Sequence, residues 1–252
     1  MRASREHEIA WAKRVRTAGD AVRFIDAAGY CLLFPIKRLP LPSLYYACAR
    51  RQAITWDKYT ERIWHWKDEL PRRRRAFYAK YFKQRGTFVS LKLLPHFLAM
   101  RKSPLAADEH ERFYAAGRIS HDAHTAWRAL AEHGPLATLE LRHACKMTSR
   151  AGNVRFKRAM LELQCLLVVV HFGAEQETQA WASNRFELVA RAFSAQVRVA
   201  RRITPERARA ALAAKYLEWH PGATWQVLAR LFGWTRLEAS AAMQHAERKV
   251  KG

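Results

Sequence analysis

The chain is 252 residues long and carries 45 Lys and Arg against 22 Asp and Glu, a formal net charge of +23 at pH 7. A surplus of that size points to a polyanionic partner, most simply DNA or RNA. Half of the residues are apolar and 12% are aromatic, which excludes a disordered basic tail and allows a real core.

No stretch approaches the ~20 apolar residues of a membrane span. The longest apolar run, from Leu161 to Phe172, is broken by Glu162, Gln164 and His171. The charged start from Met1 to His7 has no apolar segment behind it, so no signal peptide is expected. The four cysteines, Cys31, Cys48, Cys145 and Cys165, form no Cys-x-x-Cys pair. The expectation is therefore a cytoplasmic, nucleoid-associated protein with reduced thiols, no metal site and no cofactor.

Helical periodicity dominates, and the length suits two or three small modules. Residues 5–28 read as one or two helices through Ile9, Val15, Phe24 and Ile25, with Asp20 as a cap and Gly29 as the stop. Pro35, Pro40 and Pro42 then exclude a regular helix or central strand, leaving an ordered loop. Ser43 caps a short helix to Arg51. Asp57 to Leu70 reads as partly helical and is ended by Pro71. Gly86 to Leu91 suits a strand and Leu93 to Met100 a helix. Asp108 to Ala116 forms a short helix, and Ser120 starts another that carries Trp127 and Leu130.

From Gly134-Pro135 the pattern becomes helix, turn, helix, strand. Thr138 to Ala144 is a short helix with Leu139, Leu141 and Ala144 inward. A turn holds Thr148, Ser149 and Gly152, and a second helix runs through Phe156, Met160, Leu161 and Leu163. Leu166 to Val170 reads as a buried strand. A wing loop falls at Gly173 to Thr178 and a helix near Asn184 to Phe193. This is the layout of a winged helix, whose second helix is shaped for the DNA major groove. Thr204-Pro205 starts a helix to Trp219. Trp225 to Phe232 and Thr235 to about Lys249 follow as a second helix-turn-helix, its wing strand lost or very short. The fold class expected is mainly α with small β wings, in tandem winged-helix modules. Their boundaries are 1–104 (helical, winged-helix-like), 105–198 (central winged helix) and 199–252 (helix-turn-helix).

Candidate DNA contacts follow from charge. Lys146, Arg150, Arg155, Lys157 and Arg158 have no acidic residue among them and would meet phosphates or base edges. Arg72, Arg73, Arg74 and Arg75 begin a second basic run, interleaved with Phe77, Tyr78, Tyr81 and Phe82, rings that suit a core better than a stacking platform. Arg201 and Arg202 belong to a third basic stretch. Trp64-His65-Trp66-Lys67-Asp68-Glu69 alone concentrates rings with titratable groups. Trp64 and Trp66 are candidates to stack on a base. Asp68 and Glu69 are candidate catalytic carboxylates, assisted by His65 or His96; the competing reading is a Trp-rich core helix with a charged end. His121 and His124 stand three apart on a helix, half a metal site at most and better read as a solvated helix start. No Gly-x-Ser-x-Gly elbow and no Walker loop is present.

Several segments carry a family likeness: Gly134-Pro135-Leu136 with its helix, Arg155-Phe156-Lys157-Arg158-Ala159-Met160-Leu161-Glu162-Leu163-Gln164 running into Leu166 to Val169, Trp181 to Phe193, Ile203 to Ala210, and Leu228 to Trp234. The chain resembles the bacterial tandem winged-helix proteins that include the crosslink-unhooking DNA glycosylases (AlkZ and YcaQ-like proteins), well over residues 105–245 and more weakly over 15–100. The resemblance implies a concave surface that cradles duplex DNA, a DNA-repair role and a possible glycosidic-bond hydrolase. It also implies a Gln-x-Gln or Gln-x-Asp motif near the N-terminus. Here the matching segment reads Tyr30-Cys31-Leu32-Leu33-Phe34-Pro35-Ile36, with neither glutamine nor carboxylate. The alternative is a non-catalytic regulator or nucleoid-associated binder built from the same modules.

Overall fold

The computed structural model describes residues 13–175 and 183–251, the last four by backbone alone. It is mainly helical, with two small antiparallel sheets. Of the wing loop expected at Gly173 to Thr178, Gly173 to Glu175 are strand and the rest lies outside the described residues, as do residues 5 to 12 of the first expected helix.

The first unit runs α1 (Ala18–Ala28), β1 (Tyr30–Leu32), α2 (Leu44–Ala49), α3 (Lys58–Arg72), β2 (Phe77–Lys80) and β3 (Gly86–Val89). Its strands lie in the order β1-β3-β2. The cap of α1 is Thr17, not Asp20. Asp20 is the reciprocal partner, its backbone N–H donating to Thr17 Oγ1 (3.1 Å) while its carboxylate accepts from the Thr17 N–H (2.9 Å), a capping box. Gly29 ends α1 at φ 77°, a backbone conformation that disfavours other residues, and a Cβ there would lie 2.6 Å from Leu93 and 2.8 Å from Lys215, so those side chains would have to shift. Ser43 and Asp57 cap α2 and α3. Pro71 does not stop α3 but occupies its last turn.

After α4 (Leu94–Arg101) and α5 (His110–Ala115), the second unit repeats the order: α6 (His121–His133), β4 (Leu136–Ala137), α7 (Thr138–Ala144), α8 (Arg150–Cys165), β5 (Val169–Glu175) and β6 (Ser183–Leu188). Its strands lie β4-β6-β5, so in both sheets the first and second strands flank the third. Three expectations for this region are corrected. Leu166 to Val168 form the turn after α8, and the strand starts at Val169. Asn184 to Leu188 is strand, and only Val189–Ala192 (α9) is helical before α10 (Ser194–Ala200). Pairing with β5 holds those residues extended, although their spacing also suits a helical face. Ala144 is exposed, whereas Leu141 is buried.

Gly152 lies inside α8 rather than in the turn before it. Ser149 caps that helix, its Oγ accepting from the Gly152 N–H at 3.0 Å. A Cβ on Gly152 would come within 2.8 Å of the Met147 backbone, so α7 and α8 close up only because the side chain is missing. The last three helices are α11 (Pro205–Trp219), α12 (Trp225–Phe232) and α13 (Arg236–Lys251). No strand follows them among the described residues.

One core joins the first sheet to the C-terminal helices. At its centre the Tyr30 ring meets Phe97 at 5.4 Å, Trp219 at 4.9 Å and Phe232 at 5.8 Å, and its hydroxyl donates to Leu212 O at 3.2 Å. Edge-to-face ring contacts of this kind add to simple area burial. A second core fills the first unit between its helices and the outer face of the sheet, and a third fills the second unit around Trp127, Phe156 and Leu163.

His171 of β5 sits where the units meet, edge-on to Tyr78 (5.2 Å) and Phe186 (4.9 Å). Burial first, then the charges of Lys67 and Lys80, push its imidazole from 6.5 down to about 3. Both close-packed positions can be tested by substitution. Gly152→Ala should cost roughly 1–3 kcal/mol of stability in denaturant unfolding, because backbone cannot move aside cheaply; an unchanged midpoint contradicts the close approach. Between pH 6.5 and 3 the unfolded chain binds a proton at His171 that the folded chain refuses, so stability falls as pH drops through that window. His171→Phe should flatten part of that fall when melting temperatures are compared at about pH 7 and about pH 4.5. An equal fall in both proteins contradicts it.

Candidate nucleic-acid interface

Helix α8 shows how sequence sorts charge from core. Gly152, Phe156, Ala159, Met160 and Leu163 recur on one face and are buried. Arg150, Val154, Lys157 and Arg158 share the opposite face and are exposed. None of these three cations makes an ion pair among the described residues. Lys146 is exposed in the preceding turn, in a left-handed conformation at φ 55°. Arg155 behaves differently: it lies on the flank of the helix and is forked onto the Asp122 carboxylate of α6, with Nε at 2.9 Å. That hydrogen bond and charge hold Asp122 below the usual carboxylate range. Arg155 thus fixes α8 to α6, and Arg150, Lys157 and Arg158 form the free face, with Lys146 exposed in the turn before the helix.

The arginines after α3 separate in the same way. Arg72 is exposed and lies across Gly173, whose missing side chain leaves room for it. Arg73 pairs with Glu69 at 3.2 Å. Arg74 donates through Nε to Ala192 O at 2.9 Å and covers the Phe172 ring, so it is a link between the units. Arg75 is exposed and contributes to the field around Asp26. Phe77, Tyr78 and Phe82 are buried, as expected of core rings. Arg201 donates to Leu105 O at 3.1 Å. Arg202 lines a separate cavity beside His96, which removes His96 from the neighbourhood of Asp68.

The aromatic and acidic segment of α3 forms one wall of a cavity of about 630 Å³. Trp56, Trp64, Asp68 and Arg72 line it from the first unit, Gly173, Ala174 and Asn184 from the second. Trp56 and Trp64 meet edge to face at 6.1 Å and remain 61% and 42% exposed, an unusual cost for two large rings. Trp66 is buried in the first unit's core and is not available for stacking. His65 projects into solvent, 3.5 Å from Glu69.

Lys67 organises the cavity. Its ammonium is buried, yet it lies 2.7 and 2.8 Å from the two Asp68 oxygens, 3.2 Å from Asn184 Oδ1 and 4.7 Å above the Trp64 ring. A buried charge needs such partners, and together they fix Asp68 and Trp64 as one rigid group. Sequence reasoning missed Lys67. Thr60, Ile63, Lys67 and Leu70 follow the i, i+3, i+7 spacing of the buried stripe, so a lysine at a core position was the available signal. Asn184, more than a hundred residues away, had none.

The cysteines are poor nucleophile candidates. All four are free, and burial pushes Cys48 up to about 12 and Cys145 up to about 11.

No helix of the described residues is long and apolar enough to cross a membrane. No curated protein and no solved structure matches the chain. A family model described as AlkZ related matches residues 15–233, and the protein therefore belongs to the AlkZ-related family.

Proposed function

We propose that this is a DNA-repair protein that binds duplex DNA through winged-helix units and receives an unpaired or damaged base in the α3 cavity. The cavity carries the reading: exposed Trp56 and Trp64 stand beside an Asp68 carboxylate held rigid by buried Lys67. Rings supply a surface on which a base gains stacking energy once it leaves the duplex. Family membership supports the repair context.

The winged-helix assignment rests on the repeated order of helix, strand, two helices and two strands, with matching sheet order. In that scheme α8 is the groove-reading helix of the second unit, and Arg150, Lys157 and Arg158 with Lys146 contact phosphates. Helix α3 holds the same place in the first unit. There β5 of the second unit packs on it, so α3 cannot lie freely in a groove and becomes a cavity wall instead. Chain segments 105–198 and 199–252 would then act as the central and C-terminal modules, with α12 and α13 forming a helix-turn-helix that lacks a wing.

The chemistry within reach is hydrolysis of a glycosidic bond. Both Asp68 oxygens accept from the Lys67 ammonium, which orients that side chain to accept a hydrogen bond from an attacking water and to stabilise the cationic sugar of the transition state. Glu69, tied to Arg73, supports the rim.

Two outcomes check the reading. Replacing Arg150, Lys157 and Arg158 with Gln should lower the slope of log K against log salt by about 0.9 for each phosphate no longer neutralised; an unchanged slope removes α8 from the interface. Trp64→Ala should weaken binding of a duplex with one unpaired central base by roughly 1–3 kcal/mol while leaving a fully paired duplex nearly unaffected. Equal weakening of both, or of neither, contradicts a base-receiving cavity.

A further inference from the structure

We propose that His110, Glu111 and His124 form a binding site for a divalent transition-metal ion, zinc by preference, joining α5 to α6. The sequence alone pairs His124 with His121, one turn earlier on α6. The fold brings different partners: His124 Nε2 lies 3.3 Å from His110 Nδ1 and 3.0 Å from Glu111 Oε1, and His110 Nδ1 lies 3.5 Å from the same Glu111 oxygen. Three donor atoms thus form a nearly equilateral triangle. A metal bound at about 2.0–2.1 Å in tetrahedral geometry sets its ligand atoms about 3.3–3.4 Å apart, which matches these edges.

Hydrogen bonding accounts less well for the cluster. A proton on His124 Nε2 can serve one of its two neighbours well, and His110 Nδ1 and the Glu111 oxygen would still face each other with lone pairs unless a second proton joined them. A single cation satisfies all three at once. The donor set also chooses among metals. Two imidazoles and one carboxylate suit zinc and its first-row neighbours, whereas calcium and magnesium seek oxygen.

The surroundings hold the ligands in place. Tyr114 stacks on the His124 ring at 4.7 Å with an interplanar angle of 20°. Trp127 meets His110 edge to face at 6.2 Å, and its indole N–H donates to Ala107 O at 2.8 Å. His124 is buried, while the Glu111 side chain is 67% exposed. The site is therefore open on one side, leaving the fourth position to water or an anion, the arrangement of three-ligand zinc centres. His124 also borders a cleft of about 430 Å³ that Lys146 and Arg155 line, so an anion on the metal would sit close to the basic turn before α8.

The test uses the full chain stripped of metal with a chelator. Titration with Co2+ should give the visible absorption of a four-coordinate ion at one equivalent, and Zn2+ should displace it and raise the melting temperature. Glu111→Gln, at an exposed position that folding tolerates, should weaken Zn2+ binding at least about tenfold. His110→Gln and His124→Gln should do the same, and His121→Ala should leave affinity unchanged. Absence of stoichiometric uptake overturns the proposal. So does uptake that Glu111→Gln and His110→Gln leave intact, or that His121→Ala abolishes.

Discussion

The ammonium group of Lys67 is the point on which the architecture of the cavity turns. A lysine that is 4% exposed must be held by other polar groups or it would unfold its surroundings. Its partners come from two places, Asp68 on its own helix and Asn184 on β6. One charge therefore joins the first unit to the second and orders the carboxylate and ring that face the cavity. Removing Asp68 or Asn184 alone leaves the ammonium short of partners, which is why such pairs are costly to break.

Around that link the two units relate as repeats put to different uses. Both place a strand between helices and carry the third strand centrally in the sheet. In the second unit the last helix of the set, α8, turns its buried stripe inward and leaves Arg150, Lys157 and Arg158 outside. In the first unit the equivalent helix, α3, is met by β5, and its polar side closes a cavity. Arg74 on Ala192 O and the His171 ring between Tyr78 and Phe186 strengthen the same seam. The Tyr30 aromatic cluster holds the C-terminal helices against the first sheet. An assembly built in this way keeps its parts in fixed relation, as the proposed base-receiving site requires.

Much of the fold is legible in local chemistry. Ser43, Ser120 and Thr204 are caps whose side chains accept the backbone N–H groups expected of them. The helices Thr138–Ala144 and Trp225–Phe232 begin and end where periodicity places them. Sequence and structure part where local preference is ambiguous. Leu166 to Val170 is apolar throughout, so period does not fix where turn gives way to strand. Ser183 to Leu188 pairs with β5, a tertiary effect that outweighs local propensity. In the site, the segment Trp64 to Glu69 is legible as a cluster of rings and charges. Which ring faces outward is not, because Trp64 and Trp66 stand about 200° apart around a helix whose inner face is set by packing. His110 and His124 lie on separate helices, and no spacing rule joins them.

Stacking of an extruded base in the α3 cavity is tested most directly by photocrosslinking. The duplex carries a single 5-iodouracil at an unpaired central position, and the joined residue is mapped by mass spectrometry. The expected result is a crosslink to Trp56 or Trp64 that disappears when the same base is fully paired. Crosslinks confined to other residues, or equal in paired and unpaired duplexes, would contradict a base-receiving cavity.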